Sequence, residues 1–311
     1  MKIIVTGGNG QIGSHVIELL IKENVDQIIN IDNFITGKKY HLLDHEKLIK
    51  INGSIDDSIL ISKTFEKFKP NIIIHTAASY NEPENWVRDV KTNGIGTVNL
   101  IQNSLKFNIE KFIYFQTSLC YGNKPLQNPI KLSHPNFPGT NSYSISKTIG
   151  EDYLKLSGLN YVTFRLANVI GPRNLSGPLP IFYKRLKERK KCFVTKSRRD
   201  FVFVKDLANV VLQAVKGTGK GTYHFSCGKD VSIIELYDEV VKQMGLNDYP
   251  KPDIQDISKD EVRSILTDPE KTFEDFGKIN FTSLDVIVKE AIEYYEKFGV
   301  GETFTHAKVK N

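Results

Sequence analysis

The 311-residue sequence has only three cysteines, Cys120, Cys192 and Cys227, with no CxxC pair and no histidine cluster beside them. That spacing excludes a disulfide framework and a cysteine–histidine zinc site, and no metal is expected; it fits a reducing, cytoplasmic setting. No stretch approaches the roughly eighteen apolar residues of a membrane span. MKIIVTGGNG has no apolar segment ending in a small-residue cleavage site, so no secretory signal is expected. Charge of one sign is also scarce. The 42 basic and 36 acidic residues leave +6, too little to mark a nucleic-acid-binding face. Repeats and low-complexity segments are missing too. What remains is a globular composition, 40% hydrophobic and 25% charged, on a chain long enough for two domains or one large α/β unit.

Short apolar runs alternate with helix-length segments through the first half of the chain. Residues 2–5, 27–31, 48–51, 71–75, 111–115 and 161–166 are rich in Ile, Val, Phe or Tyr. They are continuously apolar rather than alternating, which predicts strands covered on both faces. Between them, residues 11–23, 57–68, 84–107 and 142–157 predict helices; Ile95, Val98, Ile101 and Leu105, then Ile145, Ile149, Tyr153 and Leu156, fall at helical spacing. Strand, helix and strand in succession predict right-handed crossovers and an α/β fold built on a doubly wound parallel sheet. After Leu166 the rhythm breaks at a Gly- and Pro-rich stretch, residues 171–180. Further helices are expected at 181–191, 207–215, 233–244 and 283–298, and strands at 201–204 and 223–226. The division expected is residues 1–166 as the sheet domain and 167–311 as a smaller, irregular lobe, some of whose segments return to the sheet.

The strongest local signal is Thr6-Gly7-Gly8-Asn9-Gly10-Gln11-Ile12-Gly13, between the first strand and the first helix. Gly7 and Gly10 allow a tight turn and close approach of backbone to a pyrophosphate, and Gly13 lets helix and strand pack closely. The helix N-terminus then offers free N–H groups and a positive dipole end. The second strand ends in Asp32, nineteen positions after Gly13. A carboxylate there accepts from both ribose hydroxyls of adenosine and repels a 2′-phosphate, which selects NAD over NADP. Tyr143-Ser144-Ile145-Ser146-Lys147 places a phenol and an ammonium on one helix face, where the lysine is expected to favour the phenolate. Ser118, at the end of the fifth strand, puts a hydroxyl in the crevice that strand ends line.

Together these motifs resemble an extended short-chain dehydrogenase/reductase of the nucleotide-sugar epimerase/dehydratase group, with an NAD-binding Rossmann domain. Supporting segments are Asp32-Asn33-Phe34 with Thr36-Gly37, His75-Thr76-Ala77-Ala78, Asn93, Thr117-Ser118, Arg165 to Pro172, and Arg199-Asp200-Phe201-Val202. The resemblance implies that Gln11 and Ile12 cover the pyrophosphate and that Asp32 and Asn33 hold the adenosine ribose. It places Ala77, Ala78 and Asn93 on the nicotinamide side, with Tyr143 and Lys147 as cofactor contacts as well as catalytic groups. Gly53-Ser54-Ile55 departs from the family, which has an aspartate where Ser54 stands; Ser54 and Ile55 are expected at the adenine. On the substrate side it implies that Asn168, with Ser118 and Tyr143, meets the sugar nucleotide and that Arg199 and Arg263 clamp its phosphates. A homodimer through the helices containing Asn93 and Tyr143 is also implied.

One more absence selects the reaction. Between Thr117 and Gly122 there is no Asp or Glu, whereas 4,6-dehydratases resembling this chain carry Asp-Glu after the threonine. The resemblance therefore favours C4 epimerisation of a nucleotide-linked sugar, a UDP-hexose or UDP-hexuronic acid for surface polysaccharides such as lipopolysaccharide O-antigen. The alternatives are a 4-keto-sugar reductase, a 4,6-dehydratase, or a catalytically idle relative that binds NAD or RNA.

Overall fold

The computed structural model describes residues 1–139, 141–246, 249, 251–257 and 262–304. Seven parallel strands form the central sheet: β1 (Lys2–Thr6), β2 (Gln27–Asp32), β3 (Leu48–Asn52), β4 (Ile72–His75), β5 (Lys111–Thr117), β6 (Tyr161–Leu166) and a strand from later in the chain, Gly221–Phe225. The spatial order is β3-β2-β1-β4-β5-β6 followed by Gly221–Phe225. The runs of Ile and Val are continuous because both faces are covered. Ile3, Val5, Ile28, Ile72 and Ile74 pack with α1 (Gln11–Lys22) and with the helix Val204–Val215. Ile4, Ile29, Ile31 and Ile73 pack on the opposite face with α2 (Ser58–Phe68) and the helix Thr97–Lys106. The chain winds outwards from β1 in both directions, so a crevice opens between the carboxyl ends of β1 and β4, the usual ligand position in such sheets.

The expected helix over 84–107 is three segments. One α-turn, α3 (Trp86–Asp89), runs into a π-helical stretch, Val90–Gly96, and then into α4 (Thr97–Lys106). The wider π turn shifts the phase of the side chains. As a result Ile95 and Leu105 face outwards while Leu100 and Ile101 are buried. In α5 (Ser142–Leu156) the apolar stripe is also on the outside. Ile145, Tyr153 and Leu156 are exposed, and the buried face carries Ser144, Ser146, Lys147, Thr148 and Glu151. The stripe expected in 84–107 is therefore split, with Ile101 in the core and Ile95 and Leu105 outside, whereas the stripe of α5 is one face that meets no core within the chain.

The second lobe is built from α6 (Pro178–Lys187), α8 (Ile233–Gln243) and α10 (Leu284–Phe298), while α7 (Val204–Val215) and α9 (Glu270–Phe276) return to the sheet; among the described residues three two-stranded pairs lie between. Its core joins Leu179, Phe182 and Leu186 of α6 to Leu236 and Val240 of α8 and to Val288 and Tyr295 of α10. Among the short pairs, Phe201–Phe203 answers the strand expected at 201–204, while the other members escape sequence reading because two or three residues give no periodicity. Much of the basic charge between Lys187 and Arg199 is neutralised locally: Lys187 pairs with Glu296, Lys190 with Glu188, Lys191 with Asp253 and Arg198 with Asp230. Among the described residues no helix is long and apolar enough to cross a membrane.

Candidate active site

A cleft follows the crevice from the β1–α1 turn to the start of α5. At one end the chain turns at Gly7 with φ +68°, a conformation that favours glycine, and a Cβ there would lie 2.7 Å from the backbone N and Cα of Ala77. Gly10 caps α1 with no side-chain hydrogen bond, leaving the first N–H groups of the helix uncapped by side chains. Gly13 lies one turn in, off the cleft. A Cβ on it would come within 2.6 Å of the Gly7 carbonyl oxygen and Gly8 Cα, so its smallness lets α1 sit against the turn.

Asp32 closes the far side of this end. Its Oδ2 accepts from the Asn9 N–H and its Oδ1 from the Phe34 N–H, both at 2.8 Å. Burial raises its pKa above the ordinary carboxylate value, and these two donors oppose the shift. Each oxygen keeps further lone-pair capacity for a ribose hydroxyl. Asn33, Ser54, Ile55, Ala77 and Ala78 line the same cleft. Two residues that sequence reasoning missed stand over the α1 N-terminus, Arg173 and Asn174. Arg173 Nη2 pairs with Glu18, while its Nη1 is buried without a partner among the described residues, as is Nε2 of Gln11. Unpaired buried donors above an uncapped helix N-terminus need an anion, so the residues fit a dinucleotide whose pyrophosphate lies there. Arg173 could have been suspected as the one arginine in the Gly- and Pro-rich segment 171–180.

At the other end the cleft is lined by Thr117 and Tyr143, and not by Ser118. Successive strand residues point to opposite sides. Thr117 ends β5 half-buried at the cleft, and Ser118 turns into the interior at 7% exposure. The hydroxyl presented is therefore that of Thr117, and Ser118 is corrected on that ground. Tyr143 lies edge-on to Tyr80, with ring centroids 6.5 Å apart. Lys147 is 3% exposed and lies one turn further along α5, off the cleft lining. Its Nζ sits over the Tyr114 ring, 4.1 Å from the centroid, and Tyr114 Oη donates to the Lys147 carbonyl oxygen at 2.9 Å.

The sequence reading expected the lysine to pull the phenol down. Here burial pushes Tyr143 up, helped by Tyr80 and Asp89, and burial lowers Lys147 to about 7 against the opposing pull of Glu151. Burial is the leading cause for both groups, so a shared helical face does not by itself produce the expected effect of the lysine on the phenol.

Asn93 is fully buried in the π-helical stretch. It accepts from the Ser79 N–H at 2.9 Å and donates to the Ser79 carbonyl and Ser146 Oγ, both at 3.0 Å, bracing the loop after β4 against α5 rather than lining the cleft. Asn168, in the strand β7 (Asn168–Ile170), does line it. Arg199 and Arg263 do not: Arg199 Nη1 donates to the Val262 carbonyl at 2.8 Å, and Arg263 is exposed on the neighbouring segment. Arg88, which sequence reasoning did not single out, lines the cleft instead. Among the described residues no group of three or more His, Cys, Asp or Glu side chains could hold a metal.

Comparison with known proteins gives the family and the fold. A family model described as the NAD dependent epimerase/dehydratase family matches residues 3–228. The Bordetella bronchiseptica enzyme WbmH, solved in complex with NAD+, is 53% identical, superposes with a TM-score of 0.93 and covers 96% of this chain and 99% of its own. A UDP-glucose 4-epimerase of Halalkalibacterium halodurans is 28% identical over 329 residues, 96% of each chain. A dTDP-D-glucose 4,6-dehydratase of Mus musculus is 30% identical over 258 residues, covering 78% of this chain and 72% of the relative.

Proposed function

The chain belongs to the NAD dependent epimerase/dehydratase family, and from that premise we propose that it epimerises a nucleotide-linked sugar at C4. One observation carries the choice over dehydration. Among the described residues the cleft is lined by a single carboxylate, Asp32, at the end away from Tyr143. Elimination of water across C5 and C6 needs an acid and a base beside the sugar; Ser118 and Leu119 stand where such a pair would be. Cys120 offers no substitute, because it is fully buried and its thiol is pushed up to about 12. The mouse dehydratase shows that the family spans both reactions, so the cleft lining has to separate them.

NAD, when bound, supplies the acceptor and donor of the C4 hydride. Gln11, Ile12, Arg173 and Asp32 would hold it. Tyr143, once ionised, takes the proton from the sugar 4-hydroxyl while the Thr117 hydroxyl hydrogen-bonds the same oxygen. Lys147, one turn along α5, stabilises the phenolate that must be present before this step and is consumed by it. The 4-keto sugar then turns about its anchored nucleotide, and Tyr143 returns the proton to the other epimer. Asn168 and Arg88 are the cleft groups able to meet the sugar nucleotide; Arg199 and Arg263 could reach its phosphates only by moving. A uridine nucleotide is favoured by the likeness to a UDP-glucose 4-epimerase, and use of the product in surface polysaccharides rests on the sequence resemblance.

The reaction run in deuterium oxide without added NADH tests this. An unlabelled C4 epimer is the expected product by NMR and mass spectrometry. Deuterium at C5 with loss of water would assign a dehydratase, and strict dependence on added NADH would assign a ketoreductase.

We also propose a cytoplasmic homodimer, in which residues 1–166 carry most of the cofactor site and the catalytic groups, while 167–311 give Asn168 to the sugar nucleotide and Arg173 to the cofactor. Support for the dimer comes from Trp86, Val87, Ile95, Ile145, Tyr153 and Leu156, exposed on the adjoining helices that carry Asn93 and Tyr143. Two copies would bury these faces in a four-helix bundle. Light scattering should give twice the 35.3 kDa chain mass, and Ile145→Glu with Leu156→Glu should return it to the single-chain value. A wild-type monomer would overturn the dimer.

A further inference from the structure

Behind the cleft, on the side away from the cofactor, a chain of buried polar groups runs from the second lobe to Thr117. It starts at the Asp268 carbonyl, which lies 2.8 Å from His224 Nδ1. A carbonyl can only accept, so Nδ1 carries the proton and Nε2 is the acceptor. Burial keeps this ring uncharged, lowering its pKa to about 4. Nε2 then takes the hydroxyl proton of Tyr121 at 2.6 Å. The lone pairs of Tyr121 Oη in turn receive Arg165 Nη1 at 2.5 Å. The other arms of Arg165 grip Glu151: Nε to Oε1 and Nη2 to Oε2, each at 3.1 Å. Gln116 Nε2 donates to the same carboxylate at 3.2 Å, which leaves Gln116 Oε1 facing the opposite way. That oxygen accepts the N–H of Thr117 at 2.8 Å.

Every donor in this sequence has one direction open to it: from Thr117 the bonds run through Gln116 to Glu151, and from Arg165 they run to Glu151 on one side and through Tyr121 and His224 to Asp268 on the other. Gln116 is the only member able to flip, and Glu151 forbids the flip because a carboxylate cannot face the amide oxygen. Glu151 is 0% exposed and Arg165 4%. A buried bidentate pair is weak evidence for stability, since burial offsets much of the attraction, and is better explained by a need for a fixed geometry. Neither Glu151 nor Tyr121 lines the cleft. The group whose place they fix is the peptide of Thr117, the residue presenting its hydroxyl beside Tyr143.

We propose that Glu151 is a positioning residue for the reaction: through Gln116 it locks the Thr117 peptide, and Arg165, Tyr121 and His224 hold Glu151 in turn. This rests on the reading of Thr117 as the hydroxyl that meets the sugar 4-oxygen. Misplacement of such a group by a fraction of an ångström lowers turnover without changing how the anchored nucleotide binds.

The test compares Glu151→Gln, Tyr121→Phe and Thr117→Ala with wild type, in kcat, KM, retained NAD, thermal midpoint and pH profile. Glu151→Gln, which permits the flip of Gln116, should lower kcat by about 10- to 100-fold with KM and bound NAD unchanged. Tyr121→Phe keeps the ring that packs 4.9 Å from the Arg165 guanidinium and removes only the hydroxyl; it should lower kcat by a smaller factor in the same pattern. The deficit should be the same at all pH values. If it disappears as the pH is lowered, Glu151 acts by keeping Lys147 protonated, and the positioning role is overturned. It is equally overturned if kcat is unchanged, or if kcat, KM and NAD content fail together, which marks a purely structural role. Should Glu151→Gln not fold, Tyr121→Phe decides alone, since it leaves the buried ion pair intact. Thr117→Ala separates the two readings: full turnover in that variant sinks the site assignment itself, whereas a disabled Thr117→Ala beside a normal Glu151→Gln sinks only the lock.

Discussion

Tyr143→Phe should reduce turnover by about 10²- to 10⁴-fold, the usual cost of losing a positioned general acid–base group. The ring that lies edge-on to Tyr80 is kept, and only the ionisable oxygen at the cleft is removed. Thermal stability and KM for the sugar nucleotide should therefore change little, because neither the core nor the nucleotide anchor involves that oxygen. The resting group is a protonated phenol, held above its ordinary pKa by burial, so it can act as a base only while the field around it favours the phenolate. Lys147 is the cation within the same buried layer, and its own lowering to about 7 is the result of that burial. Steady-state kinetics on the purified variant, with a melting curve beside them, decide the matter. Turnover within tenfold of wild type would place the base elsewhere.

Gly7→Val should yield protein that retains no NAD. The residue has φ +68°, where a β-branched side chain is strained by roughly 1–2 kcal/mol or more. Its new Cβ would fall 2.7 Å from the Ala77 N and Cα atoms, and backbone cannot give way as a side-chain tip can. Overpacking of that kind costs about 1–3 kcal/mol further. Relief requires the β1–α1 turn to part from the end of β4, which moves the uncapped N-terminus of α1, with Gln11, away from Arg173. The same experiment on Gly10→Ala gives the contrast, since a Cβ there meets only the Gly7 carbonyl oxygen, at 3.1 Å. Nucleotide released by denaturing each purified protein is quantified against protein. Stoichiometric NAD in the valine variant would show that the turn does not hold the cofactor.

How much of this was written in the sequence differs between the two ends of the cleft. The cofactor end is a local structure: the glycines, α1 and Asp32 lie within 32 residues, and each acts through its own backbone geometry or through strand-end placement. Spacing was enough to assign them. The catalytic end assembles β5, α5 and β7 from residues spread between Thr117 and Asn168. Tyr143 was found because i, i+4 spacing is itself a geometric statement. Ser118 was chosen over Thr117 because both are hydroxyls at a strand end, and the side of the sheet each faces depends on where β5 stops. Arg199 and Arg263 were assigned by resemblance alone, and their side chains point away from the cleft lining.

By itself, the sequence determined the doubly wound sheet, through continuous Ile and Val runs that only two-sided cover can satisfy, and the dinucleotide turn at Gly7 to Gly13. Tertiary structure alone decided which hydroxyl lines the cleft, that Arg173 and Gln11 carry buried donors without a partner, and that Lys147 and Tyr143 are each dominated by burial. It also decided that the apolar stripe of α5 faces outwards while α5 buries Lys147 and Glu151. The physical reason is common to all four. Periodicity and propensity are properties of one segment, whereas desolvation, donor pairing and the direction a side chain faces are set by what other segments bring against it.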